Sequence, residues 1–166
     1  MLTELKEQRY GFVYGGSEIT LRYDMTALLH LEERGYSYME IFGERITGKS
    51  LCAFLECGAV GELPAAAEVI LRDVGGSELW AHCRNAMLLA MPERDPLIID
   101  IPDNPGQPPD MHRLRTLVCD VMRKPEEFFW RSTLRELLAR WRDFAEIKGY
   151  AKKPERMELY DMEGME

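Results

Sequence analysis

The chain has 166 residues, 46% of them hydrophobic, and a formal net charge of −8. That length supports one domain, or one domain with an appendage, and the apolar share is that of a globular protein rather than a disordered one. The acidic balance argues against a nucleic-acid binder, whose affinity comes from basic side chains on phosphates, and favours solubility and basic partner surfaces.

Residues 1–8 are polar and form a lead-in without the apolar core of a signal peptide. No run reaches the length needed to cross a bilayer. The expectation is a cytoplasmic protein whose four cysteines, Cys52, Cys57, Cys83 and Cys119, are buried thiols. The ten methionines suit adaptable packing.

Tyr10, Phe12 and Tyr14 alternate, as do Ile19, Leu21 and Tyr23, and Gly15-Gly16 lies between the two runs. This predicts a β-hairpin, with the helix after it as the nearest surface to pack on. Asp24 is an N-cap residue for a helix with Met25, Leu28, Leu29 and Leu31 on its apolar side, stopped at Gly35. Ser37 with Glu40 has capping-box spacing and restarts a turn carrying Met39, Ile41 and Phe42. Thr47 caps a helix with Leu51, Phe54 and Leu55 on one face and Gly58 as its stop. Pro64 opens an alanine-rich helix ended by Gly75-Gly76. Ser77 caps the next, with a stripe of Leu79, Trp80, Cys83, Met87 and Leu88.

Composition changes at Pro92. Six of the nine prolines fall between Pro92 and Pro109, around one short apolar run, Leu97-Ile98-Ile99-Asp100-Ile101. We read residues 92–109 as a proline-rich linker between an N-terminal hairpin-plus-helix unit, 1–91, and a C-terminal helical pair, 110–150. In the pair, Asp110 starts a helix with Met111, Leu114, Leu117, Val118 and Val121 on one face. Thr133 with Glu136 boxes a last helix carrying Leu134, Leu137, Leu138, Trp141, Phe144 and Ala145, with Gly149 as its stop. Residues 151–166 read as a frayed acidic tail. The fold class is α+β, mainly α: an N-terminal β-hairpin packed on a bundle of about six helices.

Two features carry functional readings. Gly43-Glu44-Arg45-Ile46-Thr47-Gly48-Lys49-Ser50 satisfies the P-loop pattern, in which backbone amides cradle phosphates, Lys49 would reach them and Ser50 would hold magnesium, with Asp100 as a second metal acid. The pattern needs a buried strand ending at Gly43, and the strand–helix alternation of a parallel sheet is missing. The plain alternative makes Thr47 a cap and Gly48-Lys49-Ser50 a polar first turn. The second feature is Phe128-Phe129-Trp130, three large rings in a row that cannot all face one core and so offer a partner-binding anchor; the plain alternative is that they seal the last helix onto the preceding one. No metal centre is expected: Cys52 and Cys57 have the wrong spacing, His82 and Cys83 diverge on a helix, and His30, His82 and His112 stand apart from acids. No nucleophile–base arrangement is present, so no catalytic residue is assigned.

Three segments resemble one family. LRYDMTALLHLEERG, LCAFLECGAVGE and PEEFFWRSTLRELLARWRDF look like successive parts of phage tail assembly chaperones. The resemblance implies a non-enzymatic protein without cofactors that acts in the host cytoplasm and is absent from the finished virion. Its implied partners are the tape measure protein and the tail tube protein, with no nucleic acid and no membrane; self-association stays open. The two readings make opposite demands on residues 37–42: a helical turn for the chaperone, a buried strand for a P-loop enzyme.

Overall fold

The computed structural model describes residues 8–44, 46–92 and 110–150. Strands β1 (Tyr10–Tyr14) and β2 (Ser17–Leu21) form an antiparallel hairpin with Phe12 opposite Ile19 and Tyr14 opposite Ser17. Gly15 and Gly16 both take positive φ, 57° and 80°, as a two-residue turn matched to strand twist requires. The helices are α1 (Met25–Glu33), α2 (Gly48–Gly58), α3 (Ala67–Val74), α4 (Gly76–Ala90), α5 (Met111–Thr116), α6 (Glu126–Arg131) and α7 (Leu134–Lys148). A capped 3-10 turn, Tyr38–Phe42, lies between α1 and α2, and α5 runs on into a π turn, Leu117–Val121. The fold is mainly helical α+β.

The helix starts follow from local chemistry. Asp24 accepts from the Ala27 amide, and Ser37 and Glu40 exchange capping bonds, as do Thr133 and Glu136. Each box satisfies two amides that a helix start leaves free. Two boundaries differ from the sequence reading. Helix α3 starts at Ala67, not at Pro64, without a side-chain cap, and α4 starts at Gly76, so Ser77 is inside its first turn rather than capping it.

The inward faces also differ in detail. Leu29, Met39, Leu88 and Val121 are exposed, while Ala27, Tyr38, Ala86 and Ala90 are buried in their elements. At Val121 the cause is the π turn. The Met122 amide bonds back five residues to the Leu117 carbonyl at 2.9 Å, which widens the turn. Leu114 and Val118 stay buried, and Met122 rather than Val121 packs against the core.

The hairpin packs on α4 rather than on α1. Phe12 stacks on the His82 ring at 4.2 Å between centroids, and the Tyr10 hydroxyl lies 2.9 Å from His82 Nδ1. His82 is therefore a half-buried packing residue. From β1 the Tyr14 hydroxyl also donates to Asp73 on α3 at 2.8 Å; with Arg72 beside it, this holds the Asp73 carboxyl below its ordinary range. Residues from both sides of the expected linker share one core: Leu114, Val118, Phe129, Leu134, Leu137 and Leu138 belong to the same buried cluster as Leu21, Phe54 and Met87. The expected linker itself lies outside the described residues, except for Pro92.

At the centre of that core Tyr23 is fully buried, and its hydroxyl donates to the Phe54 carbonyl at 2.9 Å. Its ring lies flat against the backbone of Gly58. A Cβ there would meet Tyr23 Cε1 at 2.6 Å. Gly58 is thus not a left-handed stop: α2 runs through it, and the missing side chain makes room for the tyrosine. Gly58→Ala is expected to lower stability by about 1–3 kcal/mol through overpacking, read from the urea midpoint at unchanged slope.

Candidate functional site

From the end of β2 to the first residue of α1, the backbone of residues 20–25 is bonded to two other parts of the chain. Toward α2, the Arg22 amide donates to the Gly58 carbonyl and the Val60 amide to the Thr20 carbonyl, both at 2.8 Å. Toward the α6–α7 corner, the Met25 amide donates to the Ser132 carbonyl at 3.0 Å, and Asp24 pairs with Thr133. Thr26 Oγ1 donates to the Trp130 carbonyl at 3.1 Å.

Arg22 is the side-chain centre of this junction. Its Nη2 donates to the Arg131 carbonyl at 2.9 Å and to both Glu136 carboxylate oxygens at 2.9 and 3.2 Å, while Nη1 is buried without a protein partner. Glu136 Oε2 simultaneously accepts from the Thr133 amide at 2.8 Å. One carboxylate therefore closes a capping box and pairs an arginine 114 residues away. Sequence reasoning found the box and missed the pair, because no local spacing marks a contact at that separation. Arg135, next to Glu136, reaches the other way: it donates to the carbonyls of Met91 and Leu88 at 2.7 and 3.0 Å, covering the C-terminus of α4.

The aromatic triplet divides at this corner. Phe129 is buried, while Phe128 and Trp130 are half-buried and packed against the core. The Trp130 ring meets Phe129 edge-on at 5.1 Å, and its Nε1 donates to Glu126 at 3.1 Å. That bond, with Arg115, holds the Glu126 carboxyl below its usual range. The triplet thus seals α6 against the junction. The larger apolar exposure lies elsewhere, on the last turns of α7, where Ile147 is 83% and Tyr150 64% exposed beside the stacked rings of Trp141 and Phe144. Its signal in the sequence was the apolar stripe of α7 running on past the residues that the core uses.

The P-loop segment is placed in two halves. Helix α2 does begin at Gly48, with Lys49 exposed in its first turn. Before Gly43, the chain forms the 3-10 turn instead of a strand. The buried Ser50 hydroxyl is engaged with Thr47, accepting from its amide and donating to its carbonyl, both at 2.9 Å. Asp100 lies outside the described residues. Lys49 and Gly48 instead edge an open groove of about 740 Å³ between α2, α3 and the end of α1, with Arg34, Tyr36, Cys52 and Leu71. The only ion pair at its rim that the structure places among the described residues is Arg34 with Glu56.

Among the described residues no group of three or more His, Cys, Asp or Glu could hold a metal ion. Burial pushes all four thiols up, Cys83 to about 12. They are protonated and weakly nucleophilic at neutral pH. The contacts that the junction shows are backbone pairing, ion pairing and apolar packing. No protein-family model, curated protein or solved structure matches the chain.

Two measurements check this description. Glu136→Ala leaves Arg22 without its carboxylate and should cost about 3 kcal/mol, against about 1 kcal/mol for loss of a cap alone, as Thr133→Ala would report in the same denaturant titration. Alkylation at pH 7.5, followed by mass spectrometry, should modify Cys57 and Cys119 before Cys83. A folded-state pKa raised above the unfolded one keeps the proton on in the native state, so the thiols' contribution to stability is present below the unfolded pKa. It is lost as pH rises above about 8.5.

Proposed function

We propose that the protein is a phage or prophage tail assembly chaperone that binds the tape measure and tail tube proteins during tail assembly in the host cytoplasm and performs no catalysis. One observation carries the reading. The three segments that resemble the chaperone family, the third of them far along the chain from the other two, meet at the Arg22 junction: the β2–α1 segment lies between the end of α2 and the α6–α7 corner.

Further features support it. The acidic charge suits a carrier of basic or apolar surfaces, and the exposed Ile147 and Tyr150 give an apolar surface of the kind a reversible holder needs. No helix among the described residues is long and apolar enough to cross a membrane. Residues 37–42 form the helical turn that this reading requires rather than the strand of a P-loop.

The test is co-expression of the full chain with a tape measure protein and with a tail tube protein from the genome that encodes it. Co-purification with either, and a larger soluble fraction of that partner, is the expected result. Absence of binding to both overturns the proposal, as does ATP- or GTP-binding that Lys49→Ala abolishes.

A further inference from the structure

Strand β1 has an outer edge that no other described residue pairs with. The two-residue turn makes Tyr14 and Ser17 the closing hydrogen-bonded pair, and bonded and open pairs alternate from there. Tyr10, Phe12 and Tyr14 therefore bond to β2, while the N–H and C=O of Gly11 and Val13 point away from it. The far side of β2 follows the same alternation: Thr20, opposite Gly11, points its carbonyl outward to the Val60 amide. The backbone groups of Gly11 and Val13 have no such partner among the described residues. Both residues are exposed, Val13 to 73%.

The edge is also unguarded. Exposed edges ordinarily carry a lysine, a proline or a bulge that blocks pairing, and Tyr10–Tyr14 pairs one-to-one with β2 and holds none of them. Its outward face is Gly11 and Val13. Glu18 reaches over Gly11 from β2: a Cβ on that glycine would lie 2.6 Å from Glu18 Oε1. No hydrogen bond or ion pair engages the Glu18 carboxylate among the described residues. The other charges about the strand are engaged. Asp73 is bonded to Tyr14 and Arg72, Glu78 lies 3.8 Å from His82 Nε2, and Arg9 has an interaction of its own.

We propose that this edge is a strand-addition site for an extended segment of a partner protein. The segment runs antiparallel to β1, with an apolar residue opposite Val13 and a lysine or arginine opposite Gly11. Two donors and two acceptors, repeating at about 6.8 Å along the strand, are matched by an extended backbone. Side chains then select the sequence. Val13 supplies apolar contact, and Glu18 meets a cation across the bare backbone of Gly11. A second copy of the chain is disfavoured. Phe12 stacks on His82, which puts α4 under β1 itself. Pairing two β1 strands about 4.8 Å apart would crowd two α4 helices that need about 8–10 Å. The site does not rest on the tail-assembly reading, and its test needs neither a tape measure protein nor a tube protein.

Amide hydrogen exchange of the 15N-labelled full chain tests it. In the free chain the Gly11 and Val13 amides are expected to exchange as open groups, while the Phe12 amide, paired with Ile19, is protected. The probe is the peptide acetyl-Thr-Val-Thr-Lys-Thr-amide. At millimolar concentration it should slow both open amides by about tenfold or more and leave Phe12 unchanged. The same peptide N-methylated at its valine and lysine should give no protection. One with glutamate in place of lysine should bind several-fold more weakly, a preference that Glu18→Lys reverses. Val13→Pro removes one open donor without touching a hairpin bond, so it should abolish binding with Phe12 still protected. Protection of Gly11 and Val13 in the free chain overturns the proposal: if independent of concentration, the chain covers its own edge, and if it rises with concentration, a second copy does. Absence of protection by the millimolar peptide overturns it too, as does equal binding of the N-methylated peptide.

Discussion

The fold depends on a short length of extended backbone being hydrogen-bonded on two sides at once. Residues 20–25 take part in no wide sheet, yet their main-chain groups are met by the end of α2 on one side and by the α6–α7 corner on the other. A buried chain segment with unmet amides and carbonyls would cost several kcal/mol. The two distant segments are thus held where they are by the polar needs of this stretch as well as by apolar packing. Arg22 adds a charge that must find its carboxylate in the same place. The hairpin before it and α1 after it inherit their positions from this arrangement.

The core is then filled by close approach rather than by large residues alone. Tyr23 can lie in the centre because Gly58 leaves space for its ring and Phe54 supplies a carbonyl for its hydroxyl. Cys83 is also fully buried, and that burial pushes its thiol up to about 12. The phenol finds its acceptor in a backbone carbonyl, so this large polar side chain is buried with its hydroxyl paired.

Local chemistry made much of this readable in the residues. The Gly15-Gly16 turn, the Asp24 and Thr47 caps, and the Ser37 and Thr133 boxes each express an interaction complete within four residues, and all are found. Two local signals, Pro64 and Ser77, missed the helix starts by one to three residues; the larger failures depend on a partner far away. Leu29 and Leu88 have the right spacing but lie at the edge of their stripes, where the neighbouring element decides whether a side chain is covered. The π turn shifts register by a residue without a proline or glycine to mark it. The hairpin's contact on α4, from Tyr10 to His82, spans 72 residues, and the Arg22–Glu136 pair joins residues 114 apart. For the candidate site, the ring triplet was visible and its burial was not. On α7 the stripe through Trp141 and Phe144 was legible, but periodicity records direction, not whether anything stands opposite, so the exposure of Ile147 and Tyr150 beyond it was not.

The distance between Arg22 and Glu136 also sets a clock. At about 5–20 residues per second on the ribosome, roughly ten seconds pass between synthesis of the arginine and of the carboxylate that neutralises it. During that interval the hairpin and the first four helices can gather around Tyr23 and Phe54, since those contacts are already encoded. One side of the extended stretch still faces water until the last helix is made. The final docking closes a loop of 114 residues, whose entropic cost grows only with the logarithm of its length. Its bonds therefore register that the chain has been completed through α7.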